Sequence, residues 1–279
     1  MNYIVFDLEW NQSPGGKKYS NSRLPFEIIE IGAVKMNEQR EVVDVFQRLV
    51  KPQVYNWIHD SIHEVIHVDY KDLADGVLFP QAVEEFLDWC GEKRVFCTWG
   101  NQDVMELQRN MKYYGMLSKI KGPVTYYDAQ KIYGICYNED PCRRSLEYAI
   151  DKMHLPKAQE FHRALTDAKY TGEIFKRLDM PAVLANPSID VYQNPKTRKE
   201  EIYLSYPNYD EYVSREFAEK EKVIKDREVA STKCPVCHMP AKRKIRWFMN
   251  NSRAYESVSF CQKHGYIKGK VRIRHTDED

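Results

Sequence analysis

Two acidic residues interrupt an otherwise apolar stretch near the start of the sequence, YIVFDLE at residues 3–9. The stretch predicts a β-strand, and because side chains alternate along a strand, Asp7 and Glu9 leave the same face. Two carboxylates on one face of an apolar strand repel each other and are costly to bury without a partner. The strand must therefore either end in water or lie beside a divalent cation, and the pattern by itself leaves both interpretations open.

Strand and helix patterns alternate along the first 180 residues. The predicted strands cover 3–9, 26–36, 41–50 and 94–99, and the predicted helices cover 80–90, 101–114, 145–153 and 163–178. The polar NEQR between the second and third strands is typical of a hairpin turn. Strands first, followed by strands that alternate with helices, predict an α/β fold with a mixed β-sheet flanked by helices.

Three further polar residues follow predicted strands or begin predicted helices. Asp103 lies in the first turn of a helix that follows a buried strand, a place where α/β sheets collect ligands, although a helix-start Asp also favours the helix dipole. His162 and Asp167 are five residues apart, which is about 140° off alignment on one continuous helix. If both serve one site, His162 must precede the helix or lie in its first turn, with Asp167 inside it. Taken alone, His162 is more typical of a surface or capping histidine than of a catalytic one.

These residues in this order and spacing resemble the DEDDh exonucleases, the DnaQ-like branch of the RNase H-like fold. The first motif of that family, Asp-x-Glu, is matched by Asp7 and Glu9, its second Asp by Asp103, and its third motif by His162 and Asp167. The related group with a Tyr four residues before the last Asp is not matched, because Arg163 stands there. The resemblance covers roughly residues 1–180, and smaller details such as Trp99-Gly100 look most like the Eri-type branch, which trims RNA 3′ ends.

The resemblance implies a metal-dependent 3′→5′ exonuclease that releases 5′-mononucleotides, with single-stranded RNA favoured and single-stranded DNA as the alternative substrate. It implies that four carboxylates hold two Mg²⁺ or Mn²⁺ ions and that His162 accepts a proton, since a histidine changes charge near neutral pH. It also implies that Leu8, Trp10 and Asn11 contact the terminal nucleotide. On a strand, however, Trp10 lies on the same face as Phe6 and Leu8 and not on the face of Asp7 and Glu9. The residues themselves therefore slightly favour a place for it in the core.

Four residues in the last 49 predict a metal site of a different kind. Cys234-x-x-Cys237 and Cys261-x-x-His264 stand 23 residues apart, a spacing that predicts one structural Zn²⁺ in a zinc-ribbon-like β domain. Such a small segment needs a staple of this kind, and Gly265 suits the tight turn after His264. His238 and His275 are alternative ligands, and chance spacing of reduced cysteines is the alternative interpretation. The other four cysteines lack such spacing, and Cys90 and Cys97 are expected to be buried apolar residues.

The charge of the chain is divided unevenly. The formal net charge is +1, but residues 231–279 contain 11 Lys or Arg and 4 Asp or Glu, a net of +7, which leaves −6 for residues 1–230. Basic and apolar residues alternate at 242–248 and 268–274, which is typical either of nucleic-acid contact or of a solvated charged face. We expect an exonuclease domain at 1–180, a linker or arm at 181–230 that includes a charged helix over 210–230, and the basic zinc-ribbon-like domain at 231–279.

Composition excludes several classes of protein. With 43% hydrophobic and 30% charged residues, the composition is that of a globular chain, and no apolar run reaches the ~18–20 residues of a membrane span. The start MNYIVFDLEW lacks the basic region of a signal peptide, and seven cysteines are odd in number, so we expect a cytoplasmic protein with reduced thiols. A DNA-directed proofreading or repair exonuclease and a non-catalytic nucleic-acid-binding protein remain the alternatives.

Overall fold

The computed structural model describes residues 1–57, 70–138, 142–157, 162–190, 192–207, 210–226, 229, 232–234, 236–251 and 254–272. The chain divides into two compact units, Met1–Tyr192 and Gln193–Asp279. Each unit is built on its own β-sheet. The predicted α/β fold, with a mixed sheet flanked by helices, is confirmed in the first unit.

Six strands form the sheet of the first unit in the order β3-β2-β1-β4-β5-β6. The strands are β1 (Asn2–Gln12), β2 (Phe26–Met36), β3 (Val42–Leu49), β4 (Arg94–Thr98), β5 (Val124–Asp128) and β6 (Ser188–Asp190). The pairs β1–β2, β2–β3 and β5–β6 are antiparallel, whereas β1–β4 and β4–β5 are parallel. The strand that carries Asp7 and Glu9 is therefore central.

Helices cover both faces of this sheet. They are α1 (Tyr70–Ala74), α2 (Phe79–Cys90), α3 (Gln102–Tyr113), α4 (Ala129–Cys136), α5 (Leu146–Lys152), α6 (Ala164–Arg177) and α7 (Met180–Ala185). On one face Ile4, Phe6 and Leu8 of β1 join a core with α2 and α3. On the other, Tyr3 and Val5 pack with α4, α5 and α6. Asp7 and Glu9 continue this second face, so they point towards the helices that include α6.

Helix α6 lies directly against β2 because Gly32 has no side chain. A Cβ atom at Gly32 would lie 2.0 Å from the backbone nitrogen of Leu165 and 2.1 Å from the carbonyl carbon of Ala164. Since Gly32 pairs with Asp7 across the sheet, the first turn of α6 is brought beside the acidic segment of β1.

The second unit contains a five-stranded sheet in the order β7-β8-β11-β10-β9. Its strands are β7 (Ile202–Ser205), β8 (Asp210–Val213), β9 (Lys242–Asn251), β10 (Ala254–Cys261) and β11 (Gly265–Arg272), and a short helix, α8 (Lys220–Lys225), follows β8. The pair β8–β11 is parallel and the other pairs are antiparallel.

The structure divides the chain at other positions than the sequence patterns did. Residues 181–190 belong to the first unit as the end of α7 and as β6, whereas β7 and β8 join the sheet of the second. The charged helix expected over 210–230 does not begin at residue 210, because Asp210–Val213 pairs with β11 as a strand, and α8 covers Lys220–Lys225. The sequence analysis did not predict strand β5 and helix α4. The strand ends at Asp128 and the helix begins at Ala129, so no separate turn marks the boundary between them.

We expect Gly32→Ala to lower the free energy of unfolding by about 1–3 kcal/mol or more, because the contact at Gly32 is with backbone that cannot rotate away. Gly172→Ala, in the helix α6 that packs against Gly32, is the matched control. Its Cβ would meet the Val34 Cγ2 atom at 3.1 Å, a side chain that can yield, and alanine favours the helix. Urea unfolding of both variants measures the difference, and equal effects would contradict this role of Gly32.

Candidate active site

A cleft opens in the first unit where two parallel strands separate. Strands β1 and β4 pair only as far as Val5 and Cys97, so the next residues of β1 have a strand neighbour on one side alone. On the other side, Asp103 in the first turn of α3 accepts a hydrogen bond from the Leu8 backbone N–H at 3.1 Å. The cleft has a volume of about 450 Å³ and is lined by residues of β1, the β4–α3 connection, α4 and α6.

Four carboxylates line this cleft, namely those of Asp7, Glu9, Asp103 and Asp167. Asp7, Glu9 and Asp167 each place a carboxylate oxygen within 4.8 Å of the others. Asp103 lies at the same cleft but is held by the Leu8 N–H. One Asp167 oxygen, Oδ1, is buried and has no hydrogen-bond partner among the residues that the structure describes.

The crowding of these acids disfavours their ionised forms. Burial, followed by the charges of Asp103 and Glu9, raises the pKa of Asp7 well above its usual range. Burial and the charges of Asp167 and Glu30 raise the pKa of Glu9 to about 8.

The pKa values of the other two acids rise less, because nearby groups partly offset the effect of burial. Burial raises the pKa of Asp103 to about 7 against the Leu8 N–H, and that of Asp167 to about 6 against the charge of His162. A hard divalent cation favours oxygen ligands and relieves this repulsion, so the donor set and the unsatisfied Asp167 oxygen fit such an ion.

His162 lies just outside helix α6 and Asp167 lies inside its first turn, as the spacing required. The His162 backbone has a φ of 63°, an uncommon conformation for a residue with a side chain, and its N–H donates to Asp167 Oδ2 at 3.3 Å. The side chain of His162 is exposed and is not among the residues that line the cleft. The bond to Asp167 places it beside the cleft.

An ion pair between Arg163 and the buried carboxylate of Glu30 connects the His162 segment to the sheet. Glu30 of β2, which is opposite Glu9, receives two hydrogen bonds from Arg163, Nε to Oε2 at 3.1 Å and Nη2 to Oε1 at 3.0 Å. Gln47 donates to the same carboxylate at 2.6 Å. The sequence analysis gave these residues no role, although a glutamate within the apolar stretch 26–34 is the same kind of signal as Asp7.

The lining of the cleft also includes a cation, Arg143. The side chains of Trp99 and Gln130 donate to the Arg144 carbonyl oxygen at 3.1 and 2.9 Å, and Arg143 donates to Asp128 Oδ2 and Gln130 Oε1, each at 2.9 Å. Arg143 therefore lines the cleft in a defined position. The sequence did not indicate this role for Arg143, because the residue lies outside the helices and strands and belongs to no motif.

The three residues expected to contact a nucleotide differ in their surroundings. Leu8 lines the cleft, but its side chain is buried in the core. Trp10 is half-buried against Phe26, with ring centroids 5.9 Å apart, and also lines the cleft. Asn11 is 0% exposed and donates to the backbone carbonyls of Tyr55 and Trp57, so its expected contact with substrate is corrected to a role in holding that loop.

Comparison with known families decides the class of this site. Residues 4–175 match the family model RNase_T, described as exonuclease. The chain belongs to the RNase_T exonuclease family. The match spans every cleft residue named above, and the domain is of the DEDDh exonuclease type that the motifs resembled.

Two curated relatives and two solved structures are similar to this exonuclease domain. DNA polymerase III PolC-type of Caldanaerobacter subterraneus is 26% identical over 176 residues, and that of Clostridium perfringens is 29% identical over 175 residues. These matches cover 63% and 62% of this chain, which spans only 11% of the length of either relative.

The two solved structures show the fold. The nuclease domain of 3′hExo, a DEDDh family member bound to rAMP, has a TM-score of 0.58 at 19% identity, covering 67% of this chain and 96% of that one. A full-length 3′-exonuclease has a TM-score of 0.53 at 22% identity, covering 63% of this chain and 80% of that one.

The second unit of this exonuclease-family chain contains the predicted cluster of sulfur and nitrogen ligands. The ligand atoms of Cys234, Cys237, Cys261 and His264 all lie within 4.8 Å of one another. The Cys234 Sγ to His264 Nδ1 distance is 3.3 Å and the Cys237 Sγ to Cys261 Sγ distance is 3.7 Å. These separations fit the edges of a tetrahedron with bonds of about 2.0–2.3 Å, the geometry of structural zinc sites.

The turn that carries His264 has the expected form. Gly265 has a φ of 89°, which glycine adopts without strain. Backbone N–H groups of Lys263 and His264 lower the pKa of the Cys261 thiol to about 6, which favours a thiolate ligand. His238 lies outside the cluster, and His275 lies outside the described residues. Cys90 and Cys97 are buried in the first unit.

No helix in the part of the chain that the structure describes is both long and apolar enough to cross a bilayer.

We expect the stability of the protein without divalent cations to fall as the pH rises from about 4 to about 8. The raised pKa values of Glu9, Asp103 and Asp167 mean that the folded state binds more protons than the unfolded state across this range, so raising the pH favours unfolding. Added Mg²⁺ should therefore stabilise more at pH 8 than at pH 5. At 100 times its dissociation constant the gain is about 2.7 kcal/mol.

Thermal unfolding in buffers passed over a chelating resin measures this dependence, with Asp103→Asn as a variant whose profile should be flatter. A stability that rises with pH over the same range would contradict the assignment.

We expect one zinc ion per chain, held by the cysteine cluster. Cys261→Ser should remove it, since three ligands hold the ion far more weakly than four, whereas Cys142→Ser should retain it because Cys142 is exposed and outside the cluster. Elemental analysis of the purified chains gives the stoichiometry. A wild-type chain that folds without zinc would overturn the assignment.

Proposed function

We propose that this protein is a metal-dependent 3′→5′ exonuclease that hydrolyses the terminal phosphodiester bond of single-stranded nucleic acid, with RNA as the favoured substrate. The observation that carries the proposal is the convergence of Asp7, Glu9 and Asp167 within 4.8 Å, beside Asp103 and next to His162, in one open cleft. Membership of the exonuclease family supports it.

The carboxylates are proposed to hold two Mg²⁺ or Mn²⁺ ions, the number that brings their four negative charges to neutrality. When bound, such ions neutralise charge that develops on the phosphate and assist an in-line displacement at phosphorus. The chain orients these ligands: Asp7 and Glu9 by the period of β1, Asp103 by its bond to Leu8, and Asp167 by the packing of α6 against Gly32. No rearrangement of the backbone is needed to bring the acids together.

His162 is proposed to accept the proton of the attacking water. Water adds to phosphorus, the bond from phosphorus to the 3′ oxygen breaks, and the products are a nucleoside 5′-monophosphate and a chain shortened by one residue with a free 3′ hydroxyl. The Arg163–Glu30 pair and the bond of the His162 N–H to Asp167 hold the histidine segment beside the acids. A general base of this kind contributes about 10²–10⁴-fold to rate.

Arg143 is proposed to hold a phosphate of the substrate strand. It lines the same cleft as the acids and is positioned by Asp128 and Gln130. A guanidinium binds phosphate oxygens through two parallel hydrogen bonds, which fixes the direction of the strand. Trp10, half-buried at the same cleft, is proposed to provide an apolar surface for the terminal base.

The preference for RNA rests on the sequence details shared with Eri-type enzymes. A similar structure is described as a 3′-exonuclease in 3′-end specific recognition of histone mRNA stem-loop, with a TM-score of 0.53 at 21% identity. DNA is the second candidate substrate, because the curated relatives are DNA polymerases of the PolC type. We also propose a division of the chain into an exonuclease domain at residues 1–180, a linker or arm at 181–230, and a zinc-ribbon-like basic domain at 231–279.

We expect Asp103→Asn and His162→Ala each to lower the rate of mononucleotide release about 100-fold or more. The assay uses 5′-labelled single-stranded RNA and DNA of one sequence, with and without Mn²⁺, and identifies nucleoside 5′-monophosphates by chromatography. His154→Ala is the matched control, since His154 is also exposed and has a positive φ of 53°. Arg143→Gln should raise KM with little change in kcat.

Undiminished release by either catalytic variant would contradict the proposed roles, and binding without hydrolysis by the wild-type chain would favour a non-catalytic protein. The ratio of RNA to DNA rates decides the preferred sugar.

A further inference from the structure

The sheet of the second unit has two different faces. One face is buried, with Ser257, Ser259 and Ile267 each 0% exposed. The other is the open face of β9, β10 and β11. Antiparallel register places Lys242, Phe260 and Tyr266 side by side on it, because residues directly paired across neighbouring strands point the same way.

Aromatic and basic side chains share this open face. Tyr266 is 57% exposed and Phe248 is 45% exposed, and the rings of Phe260 and Tyr266 meet edge to face with centroids 5.1 Å apart. A bulge in β9 turns Lys244 over Phe260, with Nζ 5.4 Å from the ring centroid. Lys268 lies in the next row, opposite Val258.

The local charge is strongly positive. Residues 242–272 contain nine Lys or Arg and one acid, Glu256, which contacts Lys268 at 3.6 Å. Glu211 of β8 is the neighbour of Lys268 on the other side, so the positive charge is concentrated towards β9. Trp247 and Tyr255 pack against the inner cluster that contains Tyr212 and Val271, so their rings do not belong to the open face.

We infer that this open face is a binding surface for single-stranded nucleic acid, separate from the catalytic cleft. Its residues are Lys242, Lys244, Phe248, Phe260, Tyr266 and Lys268, called here the β9–β11 platform. Exposed aromatic rings among cations match unpaired nucleic acid, whose bases stack while its phosphates neutralise the lysines. A surface that served solubility alone would not leave large aromatic rings in water. The cysteine cluster supports the platform, because Cys261 and His264 flank the turn between Phe260 and Tyr266.

This inference goes beyond the proposed hydrolysis and depends on it only for the class of ligand. The test measures the anisotropy of a 5′-labelled 20-nucleotide single strand bound to the full chain in buffer without divalent cations, where hydrolysis is prevented. One variant, Phe248→Ala with Tyr266→Ala, removes the rings, and another, Lys242→Glu with Lys244→Glu, reverses the charge. Tyr113→Ala and Lys93→Glu, exposed residues of the first unit, are the matched controls.

Each platform variant should raise the dissociation constant roughly five-fold or more, while the controls stay within two-fold of wild type. The lysine variant should also flatten the dependence of log Kd on log salt by about 1.4, whereas the aromatic variant should leave the slope unchanged. A duplex of the same sequence should be insensitive to the aromatic variant, because its bases are already stacked. Zinc content and thermal unfolding show that the variants are folded.

Single-strand affinities within two-fold of the controls for both variants would overturn the inference, as would an aromatic variant that weakens duplex and single strand equally. Hydrolysis of a dinucleotide, which occupies the cleft alone, should be unchanged in the platform variants. A chain that binds through the platform but hydrolyses nothing would contradict the proposed function and leave the platform standing.

Discussion

Repulsion among carboxylates at the end of a central strand is the constraint on which the first unit depends. Asp7 and Glu9 share a face of β1, and α6 and α3 bring Asp167 and Asp103 to the same cleft. Burial and mutual repulsion raise the pKa values of all four acids, so the arrangement opposes the folded state at neutral pH unless cations are present. A fold selected for stability alone would not collect these groups, and their presence together indicates a functional site.

The surrounding packing holds the acids in place against this repulsion. Gly32 allows α6 to lie on the sheet next to Asp7, and the Leu8 N–H that β4 leaves unpaired is taken by Asp103. The Arg163–Glu30 pair connects the segment after His162 to β2. These contacts are made by residues adjacent to the cleft, so changes to them alter ligand position without removing a ligand.

The second unit solves a different physical problem. Its sheet buries one face only, and its small inner clusters are supplemented by three cysteines and a histidine within metal-binding distance. The overall charge of +1 conceals a difference along the chain, because the net charge of −6 of residues 1–230 and the net charge of +7 of residues 231–279 nearly cancel. A near-neutral total therefore says little about nucleic acid as a partner.

By itself, the local order of residues determined the class of the fold and pointed to five candidate catalytic residues and four candidate zinc ligands. Each of these signals is a short motif or a strand or helix period, which neighbouring residues encode. Tertiary structure alone decided that Asn11 holds a loop, that Gly32 admits a helix, that Glu30 and Arg163 pair across 133 positions, and that Arg143 lines the same cleft as the acids. It also decided that Phe260 and Tyr266, not Trp247, face outward. The reason is physical: the face of a strand that becomes buried and the partner of a buried charge depend on segments distant in the chain, and no local pattern contains that information.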